Sequence, residues 1–292
     1  MGVTVIAFIG SVFSPYYAHA RRRRALADPE QYVSINAVLY LPGGKRWAMT
    51  ERGRTSLGRD QQSLRVGPSA MSWDGDRLAI DVEEVTVPIP RKLKGRILLY
   101  PEQLNTQSFS IDGVGVHRWQ PISPRCRVEV DFDAPELSWQ GCGYLDSNRG
   151  DEPLEKAFRQ WWWSRTHLAE GTLINYETED REGAKHCLSI LAPKDPNLGF
   201  QEQPAGRATS LPRTGWRVAR PIRSSGGDIR VLRTLEDTPF YSRSVVSVEG
   251  AEGDQRGVHE SLDLNRFRSP IVQAMLPFRM PRLAPWAAFS MP

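Results

Sequence analysis

Apolar positions in this chain fall mainly in short runs that alternate with polar ones, the period of half-buried strands rather than of helices. Residues 3–9 and 33–40 are rich in β-branched and aromatic side chains and predict strands. Pro42, Gly43 and Gly44 interrupt the second of these before residues 46–50 resume it. Residues 70–73 and 78–82 flank Asp74 and Gly75 and predict a hairpin. Residues 128–132 and 137–139 repeat the alternation. Three meandering strands are expected over 158–168, 171–177 and 185–191, joined by turns near Gly171 and Gly183. A helix over 154–165 competes with the first of them. Three consecutive tryptophans, Trp161, Trp162 and Trp163, favour a strand buried on both faces. Residues 216–220 and 244–248 read as later strands, and the proline clusters at 88–90, 121–124 and 193–212 as loops.

Many short strands with turns roughly every 8–12 residues indicate an all-β architecture of barrels or sandwiches. At 292 residues the chain divides naturally into two β units, set here at 1–140 and 141–292, with the boundary somewhere in 134–155. The apolar run at 3–13 is followed, not preceded, by arginines (Arg21–Arg24), the wrong polarity for an export signal. It is also shorter than the roughly 20 residues that span a bilayer. A buried first strand is the expectation there.

Composition adds little until its distribution is considered. A net charge of +4 is too small to imply nucleic acid. From Arg266 onward, however, there are four arginines and no acid, set among Phe, Leu, Met and Trp. Basic and apolar residues together hold proteins on anionic membrane surfaces; a closing strand followed by a Pro-rich tail is the other reading. Three scattered cysteines, Cys126, Cys142 and Cys187, fit a reducing, cytoplasmic compartment and form no metal-ligand spacing.

The candidate chemistry is sparse. Asp146 follows Tyr144 by two residues, and Trp119 follows His117 by two, so on strands each pair projects from one face. Spacing alone favours packing and turn roles for these residues over catalytic ones. Asn148 is placed to orient Asp146 or a water, and Asp151 and Glu152 are alternative acids. Gly113 and Gly115 lack the context of a dinucleotide loop, and no P-loop or Gly-x-Ser-x-Gly elbow occurs. Acid–base or electrostatic chemistry by side chains is what remains.

Several segments carry a family resemblance: residues 6–17, 46–53, 117–122, 143–155, 235–241 and 276–282. They are similar to those of the carotenoid 1,2-hydratases, or hydroxyneurosporene synthases, of photosynthetic bacteria. The resemblance runs through nearly the whole chain. It implies two lipocalin-like antiparallel β-barrels and addition of water to the terminal double bond of acyclic carotenoids such as neurosporene or lycopene. It further implies no redox cofactor. The acid-site residues it implies are His117, Trp119, Tyr144 and Asp146. Chemistry then sets conditions. Asp146, normally ionised above pH ~3.9, must be kept protonated by burial, and Trp119 and Tyr144 must face the cation it generates. A hydrogen bond from His117 is expected to strengthen the acid. Trp161 and Trp163 are expected to line an aromatic substrate cavity, with the polyene near a membrane surface. A non-catalytic carotenoid carrier, or a cyclase or isomerase on the same scaffold, is the alternative.

Overall fold

The alternating segments form antiparallel strands in the computed structural model, which describes residues 1–23, 27–224, 226–250 and 253–283. By its contacts the chain makes two units. One comprises Met1–Glu102, Cys126–Gly143 and the stretch from Gln273; the other comprises Gln103–Arg125 and Tyr144–Val272.

In the first unit, β1 (Gly2–Ile9), β2 (Val33–Leu41) and β3 (Gly44–Met49) form one sheet in that order. β4 (Leu57–Arg59), β5 (Ser63–Val66), β6 (Ser69–Trp73), β7 (Leu78–Val85) and β8 (Lys92–Pro101) form a meander. Its far edge is extended by two long strands whose outer parts belong to the second unit, β10 (His117–Ala134) and β11 (Glu136–Gly150); in that unit the short β9 (Phe109–Ser110) pairs only with the start of β10. The β-branched residues of β2 are wholly enclosed: Val33 and Ile35 pack with Val66 and with Val5 and Ala7 of β1. Gly143 lets β11 pass close to β10, since a Cβ there would lie 2.3 Å from Val128 Cγ2. The strand then continues into Tyr144 and Asp146.

The second unit is built on a seven-stranded sheet. Its members are β12 (Phe158–His167), β13 (Gly171–Asp180), β14 (Lys185–Pro193), β15 (Gln201–Glu202), β18 (Ile229–Asp237), β19 (Tyr241–Gly250) and β20 (Gly253–Asp263), in the order β15-β14-β13-β12-β20-β19-β18. β16 (Arg207–Leu211) and β17 (Arg220–Ser224) form a separate ribbon. β12 is central, and its register fixes the neighbours of each tryptophan. Trp163 stands opposite Tyr176 of β13 and Glu260 of β20. Residues directly opposite share a face, so Trp161, Trp163, Arg165, Tyr176 and Glu260 project to the same side of the sheet.

The antiparallel all-β class agrees with the pattern of the sequence, and the three strands expected between 158 and 191 form. Leu154–Ala157 is a single helical turn that stops where the tryptophan strand begins. Five details differ. The prolines at 121–124 lie inside β10 rather than in a loop. They occupy the stretch between the pairing with β9, at Arg118 and Trp119, and the pairing with β8, from Cys126 on, where a missing N–H breaks no ladder on that side. Residues 193–212 contain β15 and β16. Residues 216–219 turn instead of extending: Arg217 has φ 60° and its N–H bonds to Thr214, so the strand starts only at Arg220. β1 is half-buried, being paired only with β2, and it leads into a helix, Pro15–Arg23, that the alternation does not announce. In place of a closing strand, the arginine-rich end has helical turns at Leu264–Phe267, Pro270–Met275 and Leu276–Phe278. Arg24 and residues 284–292 lie outside the described residues.

Candidate active site

Along the start of β10 burial alternates, so His117 and Trp119 point inward with only 2% and 0% of their surface open. On β11, Tyr144 and Asp146 lie two residues apart and share a face. The two strands bring three of these residues into one network. Trp119 Nε1 donates to Asp146 Oδ2 at 2.9 Å, and the Tyr144 hydroxyl donates to the same oxygen at 3.2 Å. Oδ1 accepts from no described residue. Asp146 is surrounded by protein yet retains some open surface.

This setting controls protonation. Burial pushes the Asp146 carboxyl up from the usual range to about 6, with the negative charge of Glu260 adding to the rise. The donors Trp119 and Tyr144 and the cation Arg165 act the other way, favouring the carboxylate. Tyr144 and Tyr176 are held well above the ordinary tyrosine value, chiefly by burial and then by Asp146, so both stay neutral donors. Because two donors already converge on Oδ2, a proton on Asp146 belongs on Oδ1.

An aromatic wall surrounds the acid. Trp119 is tilted against Tyr176 (5.3 Å between centroids) and Phe109 (5.7 Å), Tyr144 against Trp163 (5.1 Å), and Trp161 stacks on Tyr176 at 5.6 Å. Asn148 accepts from the Tyr176 hydroxyl at 2.9 Å, so it reaches Asp146 only through that ring.

Arg165 places its guanidinium 5.3 Å from the Tyr144 ring centre and donates to His167 Nε2 at 2.6 Å. His167 then uses Nδ1 as donor to Thr172 Oγ1 at 3.0 Å. Burial first, and the charges of Arg165 and Arg125 next, push this histidine down to about 4, so it is neutral. Glu260 is held by Arg243 at 2.7 Å. Tyr176, Arg165, Glu260 and Phe109 were not singled out in the sequence. Only the register of β12 with β13 and β20, and the seating of β9, gathers them.

His117 lies in different company. Its ring packs on Phe158 at 4.9 Å, and its Nε2 is buried without a partner. The expected hydrogen bond to Asp146 does not form. Gly150 allows this seating, since a Cβ there would come within 2.3 Å of Nδ1. Burial pushes His117 down from its ordinary value, opposed by the charges of Asp112, Glu152 and Asp151. Asp151 and Glu152 thus act on His117, and Glu152 is paired with Lys156. Among the described residues, no group of three or more His, Cys, Asp or Glu is placed to hold a metal ion.

Two open depressions have linings that do not include this network. One, about 420 Å³, is lined by Tyr16, His19, Tyr32 and Arg282; the other, about 250 Å³, by Trp162, Lys185, Arg213 and Arg220 on the opposite face of β12. Asp146 therefore stands out by its enclosure and its donors, not by the size of a hollow.

Comparison with known proteins covers nearly the whole chain. The family model described as "Carotenoid hydratase CrtC" matches residues 5–289. The chain belongs to this family. The acyclic carotenoid 1,2-hydratase of Thiocapsa roseopersicina is 49% identical over 284 residues, covering 97% of this chain and 69% of that protein. That of Rubrivivax gelatinosus is 44% identical, covering 97% and 70%. The carotenoid hydratase of Cereibacter sphaeroides, also an acyclic 1,2-hydratase, is 36% identical and is covered over 99% of its length. Among solved structures, an ATTH protein from Nitrosomonas europaea is similar over 80% of this chain and 82% of its own, with TM-score 0.55 at 12% identity. That likeness concerns the fold alone, and it agrees with a lipocalin-like, antiparallel β architecture for this carotenoid hydratase family member.

Proposed function

We propose that this protein is an acyclic carotenoid 1,2-hydratase in which Asp146 is the acid. The observation that carries the reading is the asymmetry of that carboxyl group: Oδ2 is occupied by two aromatic donors, while Oδ1 is left for a proton near pH 6. Oδ1–H delivers its proton to C2 of the terminal double bond. The π electrons form the new C–H bond, the O–H electrons stay on the carboxylate, and a tertiary cation results at C1. Water attacks C1, and its extra proton returns to Asp146. The cycle closes with one water added and no electrons transferred, so side chains alone suffice for it.

Two features ease the costly step. The Trp119 and Tyr144 donors stabilise the carboxylate as it forms, which offsets the weakening of the acid by burial. The ring faces of Tyr144, Trp163 and Trp119 attract the cation, at ~0.5–2 kcal/mol each. His117 is assigned a packing role beside the site, because its ring packs on Phe158 and not on the acid.

The substrate is a long hydrocarbon dissolved in lipid, so the protein is proposed to work at a membrane surface. No described helix is long and apolar enough to cross a membrane. The exposed residues in 270–283 are all apolar, among them Ile271 (76% open) and Phe278 (80%), and no acid occurs from residue 264 onward.

Incubation with lycopene or neurosporene in lipid vesicles, followed by mass analysis, tests the activity. The expected product has gained one water. Bound pigment of unchanged mass and structure would mean a carrier, and an isomer of unchanged mass would mean a cyclase or isomerase.

A further inference from the structure

In a site that receives a hydrocarbon, unpaired polar hydrogens are informative, because the hydrocarbon cannot accept from them. Buried N–H groups mostly have an acceptor, and an exception calls for an explanation, of which a bound water is one. Two exceptions lie on one face of β12. Trp163 is 7% exposed, and its indole Nε1 is buried with no acceptor; Trp161, two residues earlier, has a buried Nε1 in the same condition. Trp119 offers the contrast, since its indole N–H is spent on Asp146. Neither ring is loose. Trp163 is tilted at 53° against Tyr144, and Trp161 is stacked at 15° on Tyr176. Trp163 thus touches Tyr144, a donor to Asp146, and Trp161 reaches Trp119, the other donor, by way of Tyr176.

The alkene offers these N–H groups nothing. Its co-substrate does: a water oxygen accepts one or two hydrogen bonds and keeps a lone pair for attack. We propose that the indole N–H groups of Trp161 and Trp163 form the subsite for the nucleophilic water. The inference rests on the hydratase reading of the same site. The held water forms the C–O bond at C1, and the proton it sheds goes to the Asp146 carboxylate. A cation that lacks this water returns a proton to Asp146, from C2 with the alkene restored or from a C1 methyl with the double bond shifted. His117 Nε2 is another unpaired buried nitrogen, but its neighbours are Phe158 and the acids at 112, 151 and 152.

The test runs the reaction in D2O with lycopene in vesicles and follows two products, the hydrate and deuterium incorporated into recovered lycopene. Trp163→Phe and Trp161→Phe keep an aromatic ring and remove the N–H. Each is expected to lower hydrate formation by about tenfold, while deuterium still enters the recovered alkene, because protonation is intact and capture is not. Hydrate formation within twofold of the parent in both variants would overturn the subsite. So would a parallel fall of hydrate and exchange, which is what a packing role gives. If the parent protein shows neither hydrate nor exchange, the hydratase reading fails first. A measurement on the unaltered protein guards against misfolded variants. With ¹⁵N-labelled tryptophan, two indole protons are expected to show cross-relaxation to long-lived water, and its absence from both would overturn the proposal.

Discussion

Asp146 holds two properties in tension, because the burial that keeps its proton also weakens the fold at neutral pH. A carboxyl raised to about 6 binds its proton more tightly in the folded chain than in the unfolded one. Its stabilising contribution is therefore complete below the unfolded value of ~3.9 and is lost as pH rises through about 6. Asp146→Asn keeps an oxygen for the Trp119 and Tyr144 donors and carries no charge. Turnover is expected to fall at least about a hundredfold, the scale of a lost general acid. Relative to the parent, the variant is expected to gain about 2–3 kcal/mol of unfolding free energy between pH 4 and pH 8. Urea melts at the two pH values read this directly. A variant that gains nothing over that range would mean that Asp146 is not held in its neutral form.

At the scale of elements, β12 does more for the site than its tryptophans suggest. Its one face carries Trp161, Trp163, Arg165 and His167, and its register brings Tyr176 and Glu260 alongside. Arg165 lowers the pKa of Asp146, whereas Glu260 raises it. The two charges bracket the acid from positions no local pattern reveals. In the parent, kcat/KM is expected to fall as pH rises through about 6, when Asp146 loses its proton. Arg165→Gln removes a cation that favours the carboxylate, so that limb is expected to move to higher pH and the plateau rate to drop several-fold. A pH–rate profile decides it: a lower rate with an unmoved limb would make Arg165 a packing residue only. The neutral His167 is the control, since His167→Gln should leave the limb where it is.

For the whole molecule, the question is how a protein with an enclosed acid meets a substrate dissolved in lipid. The helical turns at Pro270–Met275 and Leu276–Phe278 bury Val272 and Leu276 and present Ile271, Met275 and Phe278 outward. Arginines stand nearby at 268, 279 and 282. Burying one such side chain in lipid is worth at most about 1.5–3 kcal/mol, with charge attraction adding to it. Changing Ile271 and Phe278 together to Ser is expected to reduce flotation with anionic vesicles by at least about tenfold, and added salt to weaken binding of the parent. Turnover on substrate supplied in detergent should be unchanged. Undiminished flotation would assign the apolar face to some other contact.

Period-2 alternation was enough to place most strands, because the two faces of a strand are set by backbone geometry within a few residues. The same local rule put Tyr144 beside Asp146 and Trp161 beside Trp163, and the resemblance in residues 117–122 and 143–155 pointed to the acid segment. What the local rule could not supply was the pairing across the chain. The Trp119 bond to Asp146 spans 27 positions, and Tyr176, Arg165 and Glu260 reach the acid only through the register of three strands. His117 shares a strand face with Trp119, yet Phe158 and Gly150 draw it out of the network. The prolines at 121–124 sit in a strand because they fall between its pairings with β9 and β8, where no ladder on that side needs their N–H groups. The sequence by itself determined which residues share a face. Only tertiary structure decided which faces meet and how deeply, and desolvation by those neighbours is what makes an ordinary aspartate an acid near neutral pH.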